Sequence, residues 1–342
     1  MIQLPTITPA RQSTQPTDEP PVPAHRPSPP APSPLPGPQA PRAVPARSGS
    51  AGRPGDDGAP ESPKPGRRFG LFNRRSKARA QQEERVRSRL AVPIQSPRRV
   101  AVVGLRGGVG KTTLSVLLAG IYSKSRDEPV LLLDADPTFG SLLLRSGVAP
   151  AHSARDLAGR GDPGDIAILT PYLARSASGA WVLPSGLDPG ESARFDEATF
   201  VATMDVVHRH FAITVTDCGA GLSGALMRQL LSGAHTLVFT TSASVDGITA
   251  TYAGLQWIVE RGFGSLVANS FVVVTAVRRR DPPVDLAAAA KRFDGLCRGL
   301  ISIPDDPHLR AGARIDQSEL TEQTRLAMLH LAAEVLEAAQ RA

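Results

Sequence analysis

The chain has 342 residues, 32 prolines, two cysteines and a formal net charge of +7. Cys218 and Cys297 stand alone with no C-x-x-C spacing, which excludes a disulfide scaffold and a cysteine-rich zinc site and fits a reducing compartment. No run of about eighteen apolar residues occurs, and no apolar stretch near Met1 reads as a signal peptide, so a cytoplasmic protein is expected.

Residues 1–63 hold eighteen of the prolines and few large apolar side chains. Such a segment buries too little surface to offset its ordering entropy, so a disordered, polyproline-like tail is expected. Residues 64–97 read as a basic linker. From 64 to 99 there are twelve Lys or Arg against Glu83 and Glu84, and R-R-F-G-L-F-N-R-R-S-K at 67–77 interleaves Phe69, Leu71 and Phe72 with arginines. That composition suits contact with an anionic membrane or DNA, which would place the protein peripherally at the inner face of a membrane or on nucleic acid. It suits a solvated linker equally well. A short charged helix is expected at 79–90.

From residue 98 to 342, β-rich apolar runs alternate with helical patterns, as a parallel sheet requires. Strands are expected at 99–105, 130–134, 180–183, 212–216, 236–240, 271–275 and 300–303. Helices are expected at 112–123, 197–210, 221–232, 244–260, 284–293 and 319–339. This order predicts one doubly wound, mostly parallel α/β domain with its ligand at the carboxyl ends of the strands.

The first strand runs into R-G-G-V-G-K-T-T at 106–113. Gly107, Gly108 and Gly110 allow successive N–H groups, with those of Val109 and Thr113, to curl around a phosphate at the positive end of the next helix. Lys111 adds a charge for the β- and γ-phosphates, and the Thr112 hydroxyl is placed to ligate Mg²⁺. These residues predict a nucleotide-binding P-loop NTPase domain. Leu105 stands where the usual pattern has its first glycine.

The run resembles the deviant phosphate loop of the ParA/MinD ATPases, with Arg106 at the position of their signature lysine. That resemblance implies ATP and Mg²⁺ as cofactors, a nucleotide-dependent homodimer in which Arg106 reaches the partner's nucleotide, and hydrolysis controlling a protein partner. D-A-D-P at 134–137 resembles the family's first switch, which implies that Asp136 orients the attacking water and Asp134 supports the metal shell. F-A-I-T-V-T-D-C-G-A-G at 211–221 resembles its Walker B strand and second switch, which implies that Asp217 holds Mg²⁺ through water. Lys111, Asp136 and Arg106 are the expected catalytic set.

Several positions depart from the family pattern. Thr138 replaces a common Gln, Gly219 and Ala220 replace a common Pro, and Thr275 replaces the Asn that recognises adenine. Pro304 and Asp305 fall in a run similar to the family's late loop, which skirts the base. His208, His210, His235 and His308 lack metal-ligand spacing. Leader and domain together are most similar to the MinD-like ATPases that accompany actinobacterial type VII (ESX) secretion. The Ala- and Glu-rich C-terminus is unlike MinD's basic membrane helix. Two other functions fit the same residues: a ParA-type partition ATPase gripping DNA non-specifically, and a nucleotide-binding scaffold that does not hydrolyse.

Overall fold

A computed structural model describes residues 81–138, 140–162, 164–277 and 284–342. The tail at 1–63 and the Phe/Arg cluster at 67–77 lie outside the described residues. Eight strands form one sheet: β1 (Arg98–Val103), β2 (Val130–Ala135), β3 (Ala174–Arg175), β4 (Trp181–Leu183), β5 (Ile213–Cys218), β6 (Thr236–Ser242), β7 (Phe271–Val277) and β8 (Gly299–Pro304). Their order is β3-β4-β2-β5-β1-β6-β7-β8. All neighbours run parallel except β3 and β4, which pair antiparallel at one edge. The expected doubly wound, mostly parallel sheet is therefore present.

Both faces of the sheet are covered, because alternate residues of each strand enter opposite cores. Val100 and Val102 of β1 face one apolar cluster, and Ala101 and Val103 face the other. The first cluster is closed by α1 (residues 81–90), α2 (Lys111–Ser125) and the C-terminal helix Glu322–Arg341. The second is closed by helices Ala154–Arg160, Glu197–Val207, Ala225–Gly233, Val245–Ile258 and Leu286–Phe293. After β1 the chain moves past β5 to β2, and after β5 it crosses to β6 on the far side of β1. That change of direction opens a crevice at the carboxyl end of β1.

The charged helix expected at 79–90 is present as α1 over the described residues 81–90, and it packs through Val86 and a fully buried Leu90. Arg89 of α1 is ion-paired to Glu334 at 2.7 Å and to Glu337 at 2.5 Å on the C-terminal helix. Arg126, almost wholly buried, donates to the carbonyls of Leu90 at 2.5 Å and Val92 at 2.9 Å, so the chain leaving α1 is fastened as well. Strand β3 and the helices Leu142–Ser146 and Ala154–Arg160 were not expected. The helix expected at 221–232 starts only at Ala225, because Gly221 and Gly224 hold φ of 95° and 100° in the loop before it. Among the described residues, no helix is long and apolar enough to cross a membrane.

Candidate functional site

The segment between β1 and α2 is a tight loop in which Gly104 is required by space and Gly108 and Gly110 by angle. A Cβ on Gly104 would stand 2.8 Å from the Thr240 carbonyl oxygen. Gly108 and Gly110 have φ of 74° and 90°, where L side chains are strained. Gly110 caps the N-terminus of α2, so the first free amides of that helix face the loop. Thr275 Oγ1 on β7 donates to the Val109 carbonyl at 2.8 Å and holds the loop from the side. Lys111 is buried, and its Nζ donates to the Arg106 carbonyl at 3.2 Å across the mouth of the loop. An ammonium with one neutral partner beside free helix amides is arranged to receive an anion.

The acidic residues converge on the same crevice. Asp134 on β2 and Asp217 on β5 are register partners in adjacent strands, and both are buried. Burial first, then the Asp217 carboxylate, raise the Asp134 pKa to about 8. Burial raises Asp217 to about 6, against the pull of hydrogen bonds from Thr112 and Ser115 and the charge of Lys111. Ser115 Oγ donates to Asp217 Oδ1 at 3.0 Å. Two buried carboxylates side by side, with the Thr112 hydroxyl near enough to pull the Asp217 pKa down, form a donor set that suits Mg²⁺. Among the described residues no three His, Cys, Asp or Glu side chains form a metal cage. Two carboxylates and a hydroxyl would leave a Mg²⁺ ion's other positions to phosphate and water.

Asp136 lies at the rim of the crevice. Its Oδ1 accepts from Thr138 N at 2.9 Å, and Asp134 Oδ1 in turn accepts from Asp136 N at 2.9 Å. A Cβ on Gly219 would lie 3.1 Å from Asp136 Oδ1, so the two switch-like segments touch. Gly221 N donates to the Gly104 carbonyl at 3.1 Å and links the loop after β5 to the root of the phosphate loop.

Arg106 departs from this gathering. Its guanidinium is exposed and ion-paired to Asp246 at the start of helix Val245–Ile258. The Ser244 hydroxyl first, and Arg106 second, hold the Asp246 carboxyl down at about 2. Pro304 and Asp305 line a cavity of about 250 Å³ with Gly108, Gly110, Thr113, Thr275 and Arg145. Asp305 is ion-paired to Arg310. The structure thus brings Gly107 through Thr113, Asp134, Asp136 and Asp217 to one crevice, sets Pro304 and Asp305 beside it, and turns Arg106 outward. Ser115, Arg145 and Asp246 were missed by the sequence reading. Ser115, four residues beyond Lys111 on the same helical face, carried a readable signal; the other two depend on tertiary contact alone.

Residues 100–317 match the family described as "CobQ/CobB/MinD/ParA nucleotide binding domain". The ESX-1 secretion-associated protein EspI of Mycobacterium tuberculosis is 28% identical over 245 residues, which are 71% of this chain and 37% of that protein. The chain thus matches little more than a third of that relative's length. An uncharacterized ATP-binding protein of Methanocaldococcus jannaschii is 24% identical over 216 residues, 63% of this chain and 76% of that protein. Among solved structures, a ParA family ATPase from Chlorobium tepidum superposes with a TM-score of 0.60 at 16% identity, over 69% of this chain and 99% of that one. The Pyrococcus furiosus cell division ATPase MinD superposes with a TM-score of 0.57 at 23% identity, over 71% and 99%.

Proposed function

The chain belongs to the CobQ/CobB/MinD/ParA nucleotide-binding domain family, and from that premise we propose that it is a Mg²⁺-dependent ATPase switch. The observation that carries this reading is the pairing of buried Asp134 and Asp217 in adjacent strands at the end of the glycine loop, with Lys111 buried at its mouth. The loop amides and Lys111 bind the β- and γ-phosphates. Thr112 and Asp217, with Asp134 behind them, hold the metal, which when bound draws charge from the phosphate oxygens. Asp136, at the rim, orients the water that attacks the γ-phosphate in line with the leaving oxygen, and Lys111 stabilises the charge that develops.

The output is a change of state. ATP favours a homodimer in which Arg106 leaves Asp246 and reaches the partner's nucleotide, and hydrolysis releases a bound protein. The mycobacterial relative's link to ESX-1 supports a role in type VII secretion. Residues 64–99 offer an anionic membrane or DNA a basic contact, the latter serving a partition ATPase. The Arg106–Asp246 pair favours a second reading, a scaffold that binds nucleotide without turning it over, because the pair holds the outward cation within its own chain.

The test is steady-state ATP hydrolysis together with the mass of the protein in ADP and in ATP plus Mg²⁺. Turnover lost in Lys111→Ala and a doubled mass in ATP are expected. ATP binding with neither turnover nor a mass change would favour the scaffold.

A further inference from the structure

The cavity beside the phosphate loop has walls but few free hydrogen-bonding side chains. Thr275, at the position where the resembling family has an adenine-reading Asn, spends its hydroxyl proton on the carbonyls of Val109 at 2.8 Å and Thr241 at 3.3 Å. Asp306 accepts from His308 N, Thr321 N and Thr321 Oγ1. Asp305 is held by Arg310. Arg145 differs from these. It stands on the short helix Leu142–Ser146, just after the first switch, and lines the same cavity. Its Nη1 donates to the Leu309 carbonyl at 3.1 Å, which fixes the guanidinium plane, while its Nε is buried without a partner. Gly312 is its neighbour, since a Cβ there would lie 3.9 Å from Nη2.

We propose that Arg145 is the side chain that contacts the purine of the bound nucleotide, and that the site therefore distinguishes adenine from guanine weakly. This rests on the reading that the glycine loop holds a nucleoside triphosphate. A fixed guanidinium offers a planar cationic face to any purine ring and donors to any ring acceptor. Adenine and guanine share N7 and differ at position 6, where adenine carries a donor and guanine an acceptor. Strong selection of adenine needs a buried acceptor dedicated to its amine; here the Asp305 and Asp306 carboxylates already accept from Arg310, His308 and Thr321, and the Thr113 hydroxyl, which can donate or accept, suits either purine.

Calorimetric titration of ATP, GTP and inorganic tripolyphosphate, each with Mg²⁺, into the full chain and its variants tests the proposal. ATP and GTP are expected to bind within about tenfold of each other. Arg145→Ala is expected to weaken both by about tenfold and to leave tripolyphosphate unchanged. Arg145→Lys, which keeps the charge but loses the plane, is expected to behave like Arg145→Ala. Unaltered ATP affinity in Arg145→Ala, or tripolyphosphate weakened equally, would overturn the base contact. Full affinity in Arg145→Lys would overturn the planar contact, and ATP preferred over GTP by a thousandfold would overturn the weak selectivity. If the unaltered protein bound neither ATP nor tripolyphosphate, the nucleotide-binding reading would itself fall.

Discussion

Replacing Gly104 by alanine tests whether the phosphate loop is shaped by steric necessity. The new methyl would lie 2.8 Å from the Thr240 carbonyl oxygen and 3.2 Å from Val109 Cγ2. Thr240 is a ladder residue of β6 and cannot swing aside as a side-chain tip would. The loop root must retreat by about half an ångström, an overpacking that costs about 1–3 kcal/mol. In a domain of this size each kcal/mol lowers Tm by about 2–4 °C, so a fall of about 2–12 °C is expected by differential scanning calorimetry. ATP affinity should also drop by about tenfold, because the amides that grip the phosphates move with the root. Gly107 is the control: a Cβ there meets nothing within 4 Å and its φ is not left-handed, so Gly107→Ala should stay within about 0.5 kcal/mol of the parent. A Gly104→Ala protein that melts with the parent, or a Gly107→Ala protein that falls equally, would refute the steric account.

The raised pKa values of Asp134 and Asp217 set a direction for stability against pH. Each carboxyl holds a proton more tightly folded than unfolded, so the stability of the metal-free protein is intact below about pH 4 and lost as pH rises through about 6 and about 8. Asp134→Asn should therefore melt above the parent at pH 8.5, with a gap that closes by pH 5; melting curves without Mg²⁺ showing a pH-independent gap would count against this. Tyr122 donates its buried hydroxyl to the Ala332 carbonyl at 3.0 Å, so Tyr122→Phe should lose about 1 kcal/mol in urea titration with an unchanged m-value. Asp246→Ala frees Arg106, and light scattering in ATP and Mg²⁺ should show more dimer than in the parent; less dimer would mean that Asp246 itself serves the interface.

The site's central residues were legible because local rules dictate them. An apolar run ended by glycines and Lys-Thr-Thr can do little but turn a strand into a helix with its amides exposed, and β1 with α2 follow that rule. The D-A-D-P carboxylates and Asp217 were legible as strand-end acids, but their adjacency was not, since it is set by the pairing of β2 with β5. Strand β3, two residues on an antiparallel edge, carries no periodicity to read. Val86 and Leu90 did carry a signal, an i, i+4 apolar pair inside the arginine-rich stretch, and the charge around them obscured it. Arg106 is legible only as the residue in the signature-lysine position; its pairing with Asp246 spans 140 residues and no local rule reaches it.

Among the described residues one backbone hydrogen bond, from Gly221 N to the Gly104 carbonyl, ties the segment after β5 to the base of the loop that follows β1. That stitch lies outside both strands' ladders, so breaking it would leave the pairing of β5 with β1 and β2 untouched.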